Sequence, residues 1–170
     1  EAVRSRRMVR DFDETPVAIE VVDRLIDLAR RSPSAGYSQR VDFIVLQGAE
    51  ETARFWEVPA VREYWESVFP GVVRAPVLVL PIADSDAYLR RYSEPDKAPA
   101  GLQAASAWPV PYWLTDTAMA TMVLLLGAID VGLGALLFGL FRGTHVEMLE
   151  RLGVPPGHEL LGVVAIGYPA

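Results

Sequence analysis

The chain reads as an α+β fold in which a mixed sheet is surrounded by helices. Three observations predict it. Short apolar, β-branched runs at 43–46, 77–82 and 160–166 have strand length and lie far apart in sequence. Segments with helical spacing separate them. No stretch repeats, so the order α-α-β-α-β-loop-α-β-α-β mixes the two element types within one domain spanning 1–170.

Each element has a local reason. Thr15-Pro16 precedes Ile19, Val22, Leu25, Ile26 and Ala29, which repeat at helical spacing until Pro33 stops them. The run at 43–46 is a buried strand. Residues 49–65 read as a helix interrupted at Pro59 and carrying Phe55, Trp56, Tyr64 and Trp65. In the strand at 77–82, Pro81 lacks an N–H for the ladder, which predicts an edge position or a bulge. From 84 to 111 the pattern dissolves into Pro, Ala, Ser and Gly, and a segment of that length reads as a lid or a disordered loop. Helix returns at about 112–131, and Gly132 is placed to end it in the left-handed conformation. Its most apolar part, 118–129, is about half the roughly 20 residues of a membrane span, so it suits a buried core helix. Residues 136–141 read as a strand. Thr144-His145-Val146-Glu147 reads as a capping box that opens a short helix, closed by Gly153.

Composition excludes several functions. A net charge of -6 argues against a nucleic-acid partner, because phosphate backbones reward a broad positive face. Cysteine is absent, which removes disulfides, thiolate nucleophiles and iron–sulfur clusters. Two histidines without carboxylates at ligand spacing make a metal site unexpected. No membrane span and no secretory signal are recognisable, so the expectation is a soluble, cytoplasmic protein. The apolar fraction of 51% is slightly high, as a subunit interface would make it.

Against this acidic background the first ten residues contain Arg4, Arg6, Arg7 and Arg10. Local positive charge on an acidic chain suggests a specific anion site. Planar guanidinium groups pair bidentately with phosphate oxygens, and Arg6 and Arg10 share a side in either an extended or a helical segment. On charge alone a solvated basic terminus is the commoner explanation. The second segment is Pro33-Ser34-Ala35-Gly36-Tyr37-Ser38-Gln39, directly after a helix. Small residues let a flat ligand approach the backbone, and Ser38 or Gln39 can bond carbonyl and ring nitrogens. A plain turn-rich loop is the other possibility. Asp116 reads as a cap of the central helix rather than a catalytic carboxylate.

Together these pieces resemble the nitroreductase family. Arg6-Arg7-Met8-Val9-Arg10-Asp11-Phe12 looks like its opening Arg-Arg-Ser-x-Arg-x-Phe, and the loop looks like its Pro-Ser-x-x-x-x-Gln. Asp116-Thr117-Ala118 opens something similar to its long central helix, which leads into Val131-Gly132-Leu133-Gly134 and then Phe138-Gly139. Ile166-Gly167-Tyr168-Pro169 resembles its closing strand. The resemblance implies a mostly antiparallel sheet and a homodimer built on the central helix, with FMN at the interface. Arg6, Arg7 and Arg10 would hold the flavin phosphate and ribityl chain, with Met8 alongside. Pro33, Ser34, Ala35, Ser38 and Gln39 would line the ring. Phe138 and Gly139 would bring a backbone amide to the reactive flavin nitrogen N5, where a donor stabilises developing negative charge. Tyr37, Trp108, Tyr112 and Trp113, together with Phe138, would wall the substrate pocket; ordinary core or interface packing is the other reading of Trp108, Tyr112, Trp113 and Phe138. No side chain need be catalytic, since the flavin carries the chemistry. The implied activity is NAD(P)H oxidation with transfer to nitroaromatics, quinones or similar flat, electron-poor small molecules. The alternatives are a flavin- or deazaflavin-binding protein without turnover, and a flavin-fragmenting or dehydrogenating relative. Met8 stands where the family places a hydroxyl residue, and Gly36-Tyr37 where it often has Asn.

Overall fold

Strand β2 (Val77–Asp84) is the axis of the sheet because nearly every residue along it is apolar and buried. A run without alternation must be covered on both faces. In the computed structural model, which describes residues 1–170, two helical layers supply that cover. The helices are α1 (Ala2–Ser5), α2 (Ile19–Arg30), α3 (Ala49–Trp56), α4 (Pro59–Val68), α5 (Ser85–Tyr92), α6 (Tyr112–Asp130) and α7 (Thr144–Arg151). The remaining strands are β1 (Val41–Gln47), β3 (Gly134–Phe138), β4 (His158–Leu160) and β5 (Val163–Gly167).

The sheet order is β1-β2-β5-β3, with β4 also on β2, and all pairs of strands are antiparallel. Side chains alternate across β2. Leu78, Leu80 and Ile82 pack with Phe55, Trp56, Val61 and Met148 of α3, α4 and α7. Val77 and Val79 pack on the other side with Val22 and Leu25 of α2 and Leu124 and Ala128 of α6. The expected α+β class and mostly antiparallel sheet are therefore observed. By length and composition α6 is long and apolar enough to cross a bilayer; here it lies against α2 and the sheet as a core helix.

Four local expectations need correction. Pro81 lies in a central strand, not at an edge. β5 pairs with residues 77–79 of β2 and β4 with residues 82–84, and Pro81 falls at the changeover, so its missing N–H interrupts no ladder. Its carbonyl still accepts from Leu161 N at 3.1 Å. The segment 84–111 is not irregular throughout: Asp84 caps α5 by accepting from Ala87 N at 3.1 Å, and two 3-10 turns follow. Residues 160–166 split into β4 and β5, separated by Gly162, where a Cβ would lie 2.8 Å from the Phe138 carbonyl oxygen. The capping box at Thr144 does not form, because the Thr144 hydroxyl donates to Phe141 O at 2.8 Å and Gly143 takes the N-cap position.

Candidate functional site

The N-terminal segment is held in place by backbone contacts at both ends. Met8 pairs in parallel with Ala135 of β3, and Val9 N donates to Ala135 O at 3.1 Å. Gly134 makes this possible, since a Cβ there would lie 2.8 Å from Val9 Cγ2. Four residues on, Phe12 is fully buried and bridges to Pro169, its N–H donating to Gly71 O at 3.2 Å. Arg74 donates to Phe12 O at 3.0 Å and pairs with Asp11. Phe12, the apolar end of the arginine motif, is thus the anchor that fixes the arginines.

The parallel direction sends the two ends of the motif to different places. Arg6 lies toward the start of β3, and Arg10 lies toward Phe138. The Arg10 guanidinium sits 5.2 Å from the Phe69 ring centroid, a cation–π distance, while its Nη1 donates to Met8 O at 3.2 Å. Phe69 neighbours Trp65, and Trp65 meets Phe138 edge-on with centroids 4.7 Å apart. Arg7 is exposed and curls back to donate to Arg4 O and Arg6 O at 3.1 and 2.9 Å. Arg6 differs. Its Nη1 is buried without a hydrogen-bond partner, the one charged atom among three such side-chain atoms in the molecule. A buried, unsatisfied donor costs about 1–3 kcal/mol, more when charged, so an anionic partner at this point is the natural complement. Gly139, just beyond β3, is exposed, its N–H takes no backbone partner and a Cβ there would meet nothing within 4 Å. These are features that a phosphorylated cofactor fits.

The loop at 33–39 lies elsewhere, against the first half of α6. Asp116 is buried at 1% exposure and caps nothing; its Oδ2 accepts from Ala35 N at 2.7 Å and from the Tyr88 hydroxyl at 2.8 Å. That overturns its reading as a helix cap. Burial, and then the bond to the Asp116 carboxylate, push the Tyr88 hydroxyl above its ordinary range, so Tyr88 stays a neutral donor. Gly36, Tyr37 and Gln39 have φ of 63, 58 and 49°, left-handed values that cost the two non-glycine residues on the order of 1–3 kcal/mol each. Ser34 Oγ accepts from Gln39 N at 2.8 Å and Ser38 Oγ donates to Ala35 O at 2.7 Å, so both hydroxyls brace the turn. Pro33 and Gln39 are exposed.

The aromatic wall divides in two. Trp108 and Trp113 are 8% and 7% exposed and pack edge-on around Tyr88, their indole N–H groups donating to Leu102 O and Glu159. They are core side chains behind the loop, with little surface for a substrate. Tyr37 at 74% and Tyr112 at 39% keep open faces. Phe138 belongs to the other cluster, stacked 6.2 Å from Trp56 with planes 5° apart. A cavity of about 570 Å³ between α3 and residues 73–76 contains none of the expected cofactor residues. A second, of about 470 Å³, is lined by Arg10, Phe69 and Arg74. The chemistry of the side chains favours the smaller one as part of the site.

The sequence profile of the nitroreductase family matches residues 3–168. The chain belongs to the nitroreductase family. A protein from Methanothermobacter thermautotrophicus, provisionally named NADH dehydrogenase/NAD(P)H nitroreductase, is 29% identical over 172 residues, covering 100% of this chain and 76% of its own. The FMN reductase [NAD(P)H] of Bacillus subtilis is 26% identical over 173 residues, 99% of this chain and 65% of that protein. A structure provisionally described as a nitroreductase from Exiguobacterium sibiricum, solved in complex with FMN, superposes with a TM-score of 0.75 at 17% identity, covering 100% of this chain and 87% of that one. Within the nitroreductase fold, three contributors escaped sequence reasoning: Phe69, which holds Arg10, and Tyr88 and Arg91, which hold the 33–39 loop. Tyr88 and Arg91 sit in a segment whose Pro and Ala content hid its helix, and no sequence pattern pairs either with residue 36 or 116.

Proposed function

We propose that this protein is an FMN-dependent NAD(P)H oxidoreductase. The observation that carries the proposal is the buried, unpartnered Arg6 Nη1 in a segment fixed on both sides by β3 and Phe12. In that reading Arg6 takes the phosphate, Arg7 and Met8 flank the ribityl chain, and Arg10 lies at the ring end. The four residue steps from Arg6 to Arg10 span about 13 Å when extended, a length that suits a ligand with an anion at one end and a flat ring at the other. Gly139 N–H is the donor toward the ring. When bound, FMN supplies the centre that takes up and passes on hydride. The order is ping-pong: NAD(P)H is oxidised and leaves, then a nitroaromatic, quinone or similar flat acceptor enters the same slot. The work of this chain's residues is to bind, orient and shield.

The acting species is a homodimer. Met119 and Met122 on α6 are 39% and 48% exposed, and with Ala118 and Leu126 they form an apolar stripe on a helix otherwise packed into the core. The two cofactor segments also need a second copy. Ala35 is tied to Asp116, early in α6, while Met8 is tied to Ala135, beyond its end, so within one protomer they are about 20 Å apart along the axis. Packing α6 against its antiparallel mate brings one protomer's arginines toward its partner's loop. Residues 1–170 then act as one flavin-binding domain, with 84–111 bearing on the ligand slot.

The test is a visible absorption spectrum of the purified protein, with mass identification of any released chromophore, followed by steady-state NADH and NADPH oxidation with and without a quinone. Bound FMN with acceptor-dependent turnover is the expected result. Flavin without turnover would leave a binding protein, and a colourless protein that takes up no FMN would refute the proposal.

A further inference from the structure

The left-handed backbone at Gly36, Tyr37 and Gln39 keeps its shape only where surrounding contacts over-determine it. Those contacts come from α5 and the turn that follows. Arg91 Nε donates to Gly36 O at 2.9 Å. Its terminal nitrogens are neutralised by Asp96, bidentately at 2.8 Å, and by Glu94 at 2.7 Å, which fixes the guanidinium plane. The Tyr92 ring covers Gly36 so closely that a Cβ there would lie 2.6 Å from Tyr92 Cε2. One residue earlier in the loop, Ala35 N and the Tyr88 hydroxyl converge on the same oxygen of Asp116. Tyr88 is fully buried, walled edge-on by Trp108 and Trp113. The loop is therefore tied at residue 35 to Asp116, which Tyr88 holds in turn from α5, and at residue 36 to Arg91 of the same helix.

We propose that Tyr88, Arg91 and Asp116 are positioning residues, and that α5 with its following turn is a latch holding the 34–39 loop in the shape that meets the flavin ring. This rests on the FMN reading above. The ties use the loop's backbone and leave Tyr37 and the Gln39 side chain at the surface, free to face a ligand. Docking of α5 and cofactor affinity become linked, because the loop spends less time in its binding shape when either tie is cut.

The experiment compares wild type with Tyr88→Phe, Arg91→Met and Arg91→Lys. Amide hydrogen exchange at 35–40 is measured in the flavin-free protein, and FMN is titrated into each. Tyr88→Phe and Arg91→Met should each speed exchange at 35–40 roughly 10-fold or more while leaving β2 protected, which also shows that the variants fold. The same variants should weaken FMN roughly 10-fold, the loss of one charge-assisted hydrogen bond, and shift the bound flavin's absorption bands. Arg91→Lys, which can still donate to Gly36 O, should recover part of both effects. Unchanged exchange at 35–40 would overturn the latch. Faster exchange with FMN affinity and spectrum unchanged would overturn the positioning role. If wild type takes up no FMN while the exchange contrast persists, the latch stands and the cofactor assignment falls.

Discussion

Replacing Arg6 by Met should weaken FMN binding and leave the flavin-free fold at least as stable. The two effects have opposite signs because Arg6 Nη1 is buried with no protein partner. Met keeps an unbranched apolar stem, so most packing survives. Removing an unsatisfied buried donor relieves a penalty of about 1–3 kcal/mol, and even partial relief cancels the lost contacts. For a chain of 170 residues, each 1 kcal/mol moves Tm by roughly 2–4 °C, so the flavin-free variant should melt between unchanged and a few degrees higher. In the bound state a charge-assisted contact of roughly 1.5–3 kcal/mol disappears, which is roughly 10- to 150-fold in Kd. Urea unfolding of the flavin-free protein gives the first quantity and quenching of FMN fluorescence the second. A variant that loses more than about 2 kcal/mol of stability while binding FMN as wild type does would refute the reasoning, since Arg6 would then be a structural side chain.

Other expectations follow from single contacts. Met122→Asp places a charge in the exposed stripe of α6 and should shift the protein toward monomer in sedimentation velocity, with loss of bound FMN. Gly134→Ala should destabilise by about 1–3 kcal/mol through its clash with Val9, and adding Val9→Ala should recover part of the loss in the same denaturant titration. The hydrogen bond from Arg91 holds the Asp96 carboxyl down to about 2, so any stability it adds is present above its unfolded value near 3.8 and is lost as pH falls toward 2. Carboxyl NMR shifts should therefore show Asp96 titrating near 2, and a midpoint near 4 would remove the Arg91 fork. Arg10→Ala should loosen FMN roughly 10-fold or more, read by the same titration, and an unchanged Kd would move Arg10 out of the site.

Much of this protein is written in local sequence. Apolar runs without alternation gave β1, β2 and β5, because strands covered on both faces need no polar residues. Pro59 divided α3 from α4, and Gly132 ended α6, since these residues restrict or free the backbone wherever they occur. The arginine motif and the Pro33–Gln39 string were enough to identify the family, because they are short, contiguous and chemically distinctive. What stayed hidden depends on partners distant in the chain. Asp116 looks like a helix cap until Ala35, 81 residues away, meets its carboxylate. Trp108 and Trp113 suit a pocket wall and a core almost equally until folding packs them around Tyr88. Pro81 looks like an edge residue until β4 and β5 share the flank of β2. Backbone preference and hydrophobic period act over a few residues, so the sequence states them directly. Which buried polar groups face each other is set by how the layers pack, and the tertiary structure alone decides that.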